Sequence, residues 1–140
     1  MPPRYPALYQ INTRVWLTEL SRALGRRVTL AEIPDGALDA LATRGFDWVW
    51  LLSVWQTGAA GRAVSRANPE WRRGFEQTLP DLTEDDIAGS GFAITGYSVH
   101  PDLGGEAALA QLRERLRQRG LRLMLDFVPN HVGLDHPWIE

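Results

Sequence analysis

The chain has 140 residues, 44% of them hydrophobic, which is enough for a real core and, by length, leads us to expect one ordinary domain. A formal charge of −2, from 15 basic and 17 acidic side chains, argues against a nucleic-acid binder or a protein drawn to acidic membrane surfaces. The absence of cysteine excludes disulfides and thiolate metal sites.

All the basic residues are arginine, which we read as codon usage rather than a binding surface. No stretch approaches membrane-spanning length, and Met1-Pro2-Pro3-Arg4-Tyr5-Pro6 lacks the apolar core of a signal peptide. The expectation is a soluble cytoplasmic protein with neither membrane nor nucleic acid as a partner.

Tyr9 to Leu17 alternates polar and apolar residues and predicts a first strand. Thr18 to Leu24 predicts a short helical turn ending at Gly25, and residues 26–34 a connection. A helix begins at Pro34-Asp35, carries Leu38 and Leu41 at helical spacing and stops at Gly45. Phe46 to Val54 is too continuously apolar to keep one face in water and predicts a second strand. Residues 56–90, rich in Gly, Arg and Asp, read as a long connection with one short helix over 70–77. Glu106 to Arg119 is amphipathic, with Leu109, Leu112 and Leu116 on one face and Arg113, Glu114 and Arg117 outside. Gly120 ends that helix, and the apolar run Leu121 to Val128 predicts a third, buried strand.

This order implies a parallel sheet. It fits an open doubly wound sheet and an α/β barrel equally well. The glycine fingerprint of a phosphate loop is missing after the first strand, where Leu17-Thr18-Glu19 stands, so a dinucleotide fold loses ground. Asp126 lies near the carboxyl end of the third strand. A lone acid there is costly to bury unless it is paired or working, and in α/β barrels that end of the strand is where active sites are built.

Asp126-Phe127-Val128-Pro129-Asn130-His131 resembles the first signature region of glycoside hydrolase family 13, the α-amylase and α-glucosidase group: Asp, three variable residues, Asn, His. The following Val132-Gly133-Leu134-Asp135-His136-Pro137-Trp138 is similar to the maltase-like and sucrose-cleaving branches. Tyr9 to Trp16, Gly45 to Trp55 and Ile94 to Gly105 resemble, in the expected order, the family's first strand, second strand and the approach to the helix before strand three. The resemblance implies a (β/α)8 TIM barrel. Such a barrel takes roughly 250 residues, so residues 1–140 are expected to form its N-terminal part, about three of the eight strands and truncated at the C-terminus. The implied function is hydrolysis or transfer of α-glucosidic bonds by a retaining mechanism, in carbohydrate metabolism, on an α-glucan or a small α-glucoside.

The resemblance also assigns residues. Retaining glycosidases use two carboxyl groups about 5–5.5 Å apart. In this family those groups, and a third stabilising acid, come from strands four, five and seven, so no catalytic residue is expected in this chain and the chain alone is expected to be inactive. His131 matches the histidine that hydrogen-bonds the sugar on the non-reducing side of the scissile bond; by position alone it is as readily a histidine satisfied by backbone at a strand end. Asp126 matches the acid at the base of the pocket that orders the charged groups around the nucleophile; an ion pair with a barrel arginine is compatible with that role. At Gly91-Phe92-Ala93 the chain departs from the commoner Gly-Tyr-Asp. Phe92 keeps an aromatic face for a pyranose ring but lacks the hydroxyl, and Ala93 removes an acid. Asn130 matches a calcium ligand of many α-amylases; we read it instead as capping the turn after the third strand, and expect no cofactor, with calcium as the exception. Trp48 and Trp50 share a strand face and read as packing between barrel and helices, leaving Trp55 as the tryptophan worth testing against sugar.

Two other readings compete. One is a non-catalytic barrel homologue acting as a binding or partner protein, like the relatives that serve transporters. The other is a metal hydrolase built on His131, Asp135 and His136, which has only His100 as a further nitrogen ligand.

Overall fold

The structure, a computed structural model, describes residues 5–139; the N-terminal residues 1–4, on which the signal-peptide reading mostly rests, lie outside them. The chain forms two compact units, Met1–Val54 with Ser98–Phe127, and Trp55–Tyr97 with Val128–Glu140.

The first unit is built on a three-stranded parallel sheet. Strand β1 covers Leu8–Asn12, β2 Trp48–Leu52 and β5 Arg122–Leu125, in the spatial order β1-β2-β5. The register sets Leu8 opposite Trp48 and Trp48 opposite Arg122. Because side chains alternate along a strand, Ile11, Val49 and Leu51 share one face, and that face is buried. The other carries Leu8, Trp48, Trp50 and Met124, which are half-buried or exposed. Trp48 and Trp50, expected to pack between barrel and helices, are half-buried on the face opposite the buried Val49 and Leu51.

The first strand is shorter than its alternation predicts. Asn12 Oδ1 accepts the Val15 N–H at 3.3 Å, an N-cap that starts helix α1, Thr13–Leu24. Thr13 and Leu17, one helical turn apart, are its buried residues, and Gly25 (φ 64°) ends it. Helix α2, Asp35–Thr43, buries the predicted Leu38 and Leu41. Helix α5, Gly105–Gln118, buries Ala108, Leu112 and Leu116; Leu109 is only half-buried and lines a groove with Leu123 and Leu125. Arg115 donates to the Ala31 and Ile33 carbonyls and to Asp35, and Arg119 to Asp35 and Asp39, tying α5 to α2.

The second unit replaces most of the connection predicted over 56–90. It contains strand β3, Trp55–Thr57, and the first four residues of β4, Ile94–Val99, which pairs with it, and helices α3, Ala59–Ala67, and α4, Pro69–Thr78. Asn68 caps α4 through the Glu70 and Trp71 amides, with Pro69 in its first turn. Neither α3 nor α4 contains a fully buried residue.

Candidate functional site

In the first unit, Asp126 follows the last residue of β5 and is 7% exposed. Its Oδ1 accepts the Trp50 indole N–H at 2.9 Å and its Oδ2 the Ser53 backbone N–H at 2.6 Å. Register explains the first contact. Leu51 pairs with Leu125, so Asp126 lies one residue beyond the ladder, on the face that Trp50 shares with Met124. The second contact needs an unusual backbone. Ser53, just past β2, is the one non-glycine residue with positive φ among those described, at 62°. A side-chain-bearing residue is held there at a cost of about 1–2 kcal/mol, and such strain clusters where a particular geometry is needed. The buried carboxylate therefore has charge-assisted donors from β2. At the opposite end of the same ladder, Arg122 lies over the Trp48 ring at 5.3 Å.

In the second unit, the segment after β5 carries the rest of the signature. His131 is exposed, and its Nδ1 lies 3.2 Å from Asn130 Nδ2. Two contacts flank this pair: Val128 N–H donates to the Tyr97 hydroxyl at 2.9 Å, and Gly133 N–H to the Ile94 carbonyl at 2.8 Å. Phe92, in the turn before β4, is 38% exposed with its amide on Ser90 Oγ. Trp55, which opens β3, packs edge-on against the Tyr97 ring at 5.3 Å. In α3, Arg62 Nε is buried without an acceptor.

The remaining histidines serve the backbone. His136 is buried, and its Nδ1 accepts the Trp138 N–H; buried His100, in the first unit, accepts the Asp102 N–H the same way. Among the described residues no group of three or more His, Cys, Asp or Glu is placed to hold a metal, which leaves the metal-hydrolase reading without a ligand set. No helix among them is long and apolar enough to cross a membrane.

The sequence singles out Asp126 but not Trp50 or Ser53, two of the groups that touch it. Trp50 looked like packing because its partner lies 76 residues away, and the Ser53 contact is made by backbone, which no side-chain pattern reports.

A parallel sheet with an acid held at the carboxyl end of its last strand defines an α/β architecture of the kind that carries pocket groups at strand ends. The family described as "Alpha amylase, catalytic domain" matches residues 37–140, and the chain belongs to it, within glycoside hydrolase family 13. Among curated relatives, the α-amylase SusG of Bacteroides thetaiotaomicron is 41% identical over 49 residues, 34% of this chain and 7% of that protein. An α-glucosidase of Apis mellifera is 39% identical over 51 residues, 36% of this chain and 9% of that protein. Among solved structures, Bacillus licheniformis trehalose-6-phosphate hydrolase aligns with a TM-score of 0.58 at 21% identity, over 96% of this chain and 19% of that one. An α-amylase from Geobacillus thermoleovorans, complexed with acarbose, aligns with a TM-score of 0.56 at 24% identity, over 96% of this chain and 25% of that one. The fold is the α/β fold of these enzymes, and the chain covers about a fifth to a quarter of their length.

Proposed function

We propose that this chain is the N-terminal part of the catalytic barrel of a glycosidase that hydrolyses or transfers α-glucosidic bonds with retention, on an α-glucan or a small α-glucoside in the cytoplasm. The observation that carries this reading is Asp126, buried at the carboxyl end of β5 and gripped by Trp50 and Ser53 within the stretch that matches the family signature. On this reading Asp126 orders the charged groups at the floor of the pocket, His131 donates to a sugar hydroxyl, and Phe92 offers a ring face. The nucleophile and the acid/base come from later barrel strands. On this reading the protein works without a cofactor, calcium at Asn130 being the exception the resemblance leaves open.

Partial barrel status has its own support. Among the described residues both outer strands of the sheet have a single neighbour, and each is flanked by an open groove, about 360 Å³ beside β1 and about 420 Å³ beside β5. Barrel strands have neighbours on both sides, so each groove is where a further strand and helix would sit.

In a barrel-complete protein, His131→Ala tests the reading. A hydrogen bond to a ring that gains positive charge strengthens in the transition state, so kcat should fall as well as kcat/KM. Losing one charge-assisted bond is worth roughly 1.5–3 kcal/mol, about 10- to 150-fold in rate. A lowered melting temperature with unchanged kinetics would remove His131 from the site.

A further inference from the structure

Helix α3 begins without a cap of its own. Its N-cap is Gly58, which has no side chain to accept a first-turn amide. The acceptor comes from 75 residues away: Asp135 Oδ2 takes the Ala60 N–H at 3.1 Å. The same carboxylate lies against Gly58, where a Cβ would stand 2.0 Å from Asp135 Oδ1. Gly58 has φ −90° and ψ 173°, extended backbone open to any residue, so it is the carboxylate and not the chain conformation that requires glycine. Gly133 is hemmed in similarly: a Cβ there would meet the Ala93 carbonyl oxygen at 2.9 Å and Asp135 Oδ1 at 3.2 Å. Two glycines thus leave room for one carboxylate at a helix N-terminus, where backbone N–H groups and the helix dipole favour negative charge.

Asp135 is also the outermost of three ties on the segment bearing His131. Val128 is bonded to Tyr97, Gly133 to Ile94 and Asp135 to Ala60, and His131 lies between the first two. We propose that Asp135 is a positioning residue: by capping α3 from a distance it fixes the segment that presents the His131 imidazole. This deepens the sugar-contact reading of His131 and rests on it, but its test involves no sugar. The geometry also says what the tie consists of, namely a carboxylate oxygen as acceptor and a glycine-sized space.

Hydrogen exchange on the 140-residue chain, with NMR of the histidine ring Cε1–H signals, provides the test. Asp135→Ala should speed exchange of the first α3 amides and of Gly133 by roughly 2- to 30-fold, the range a lost helix cap gives. Asp135→Asn, which keeps an acceptor, should recover part of that protection. Gly58→Ala should match Asp135→Ala, and the double variant should be no worse than either, because the added methyl then enters vacated space. The His131 ring signal should shift in Asp135→Ala and return toward its place in Asp135→Asn. The His100 signal, from the first unit, should stay fixed. Unchanged exchange in Asp135→Ala, or additive losses in the double variant, would overturn the cap. Faster exchange with a stationary His131 signal would reduce Asp135 to a helix cap and overturn the positioning role. A kinetically silent His131→Ala with the exchange coupling intact would instead strike the reading of the site and leave the cap standing.

Discussion

Ser53 sits where a small adjustment has a readable effect. Its amide reaches Asp126 because its backbone is left-handed, and the contact uses no atom of its side chain. Glycine adopts that conformation freely, so Ser53→Gly should keep the hydrogen bond and be neutral or stabilising by up to about 1 kcal/mol, the relieved strain being partly offset by a looser unfolded chain. Ser53→Val keeps the N–H but places a branched side chain at positive φ, and should cost about 1–2 kcal/mol. Urea unfolding midpoints of the two variants measure the difference. A valine variant as stable as the parent would remove strain from the account of this turn. The candidate site residues that the sequence nominates, Asp126 and His131, are those whose chemistry would be carried by their own side chains within one short motif. Trp50, Ser53 and Gly58 were not, because each acts through a partner that only the folded register brings near.

At the level of elements, α2 and α5 declared themselves through terminal glycines and apolar residues at helical spacing, and β2 and β5 through continuous apolar runs, although β5, predicted buried over Leu121 to Val128, is only Arg122–Leu125 and has no buried residue, its edge being unpartnered among the described residues. Helix α3 was missed although Ala60, Ala63, Val64 and Ala67 fall at helical spacing, because small residues and a mid-helix glycine make that stripe faint; α4 was partly legible as a short helix, and its Asn68-Pro69 start was the signal left unused. Charge on the surface of α5 and near the start of α2 makes a further measurement possible. Hydrogen bonds from Arg117 and then Gln118 hold the Glu114 carboxyl down from its ordinary 4.5 to about 2. Arg115 and then Arg119 lower Asp35 in the same way, and the Thr29 backbone N–H lowers Glu32. Protonation of a group lowered on folding favours the unfolded chain. The contribution of these carboxylates is therefore complete above their ordinary values and is lost as pH falls, for Glu114 over the window from 4.5 down to about 2. These groups are exposed, so the effect should be modest and should shrink in high salt. Urea midpoints of Glu114→Gln should fall less than those of the parent between about pH 5 and pH 2.5. Parallel acid limbs would show that Glu114 adds nothing to the slope.

For the whole chain, the sheet states what is unmet. A parallel sheet is ordinarily covered on both faces, yet here one face leaves Trp48, Trp50 and Met124 half-buried or exposed, and both outer strands offer unpaired edges. Open strand edges and contiguous apolar surface drive association. The 140-residue chain should therefore self-associate as its concentration rises and give only buffer rates on maltose, sucrose, starch and aryl α-glucosides. Sedimentation velocity and those assays on one preparation decide it. A concentration-independent monomer, or turnover abolished by Asp126→Ala, would contradict the partial-barrel proposal.

The pairing of β3 with β4, and of the Trp55 ring with that of Tyr97, bears on how the first unit assembles. Strand β5 must find β2 across all of Trp55–Tyr97, a separation that ordinarily slows folding. Once Trp55 and Tyr97 have met, the ends of that long insertion are already side by side. The search then left for β5 is over the crossover through α5 alone, and closure entropy grows with free length, by about 0.6 kcal/mol per doubling. Early closure of the insertion thus lets a parallel pairing that is distant in sequence behave kinetically as a local one.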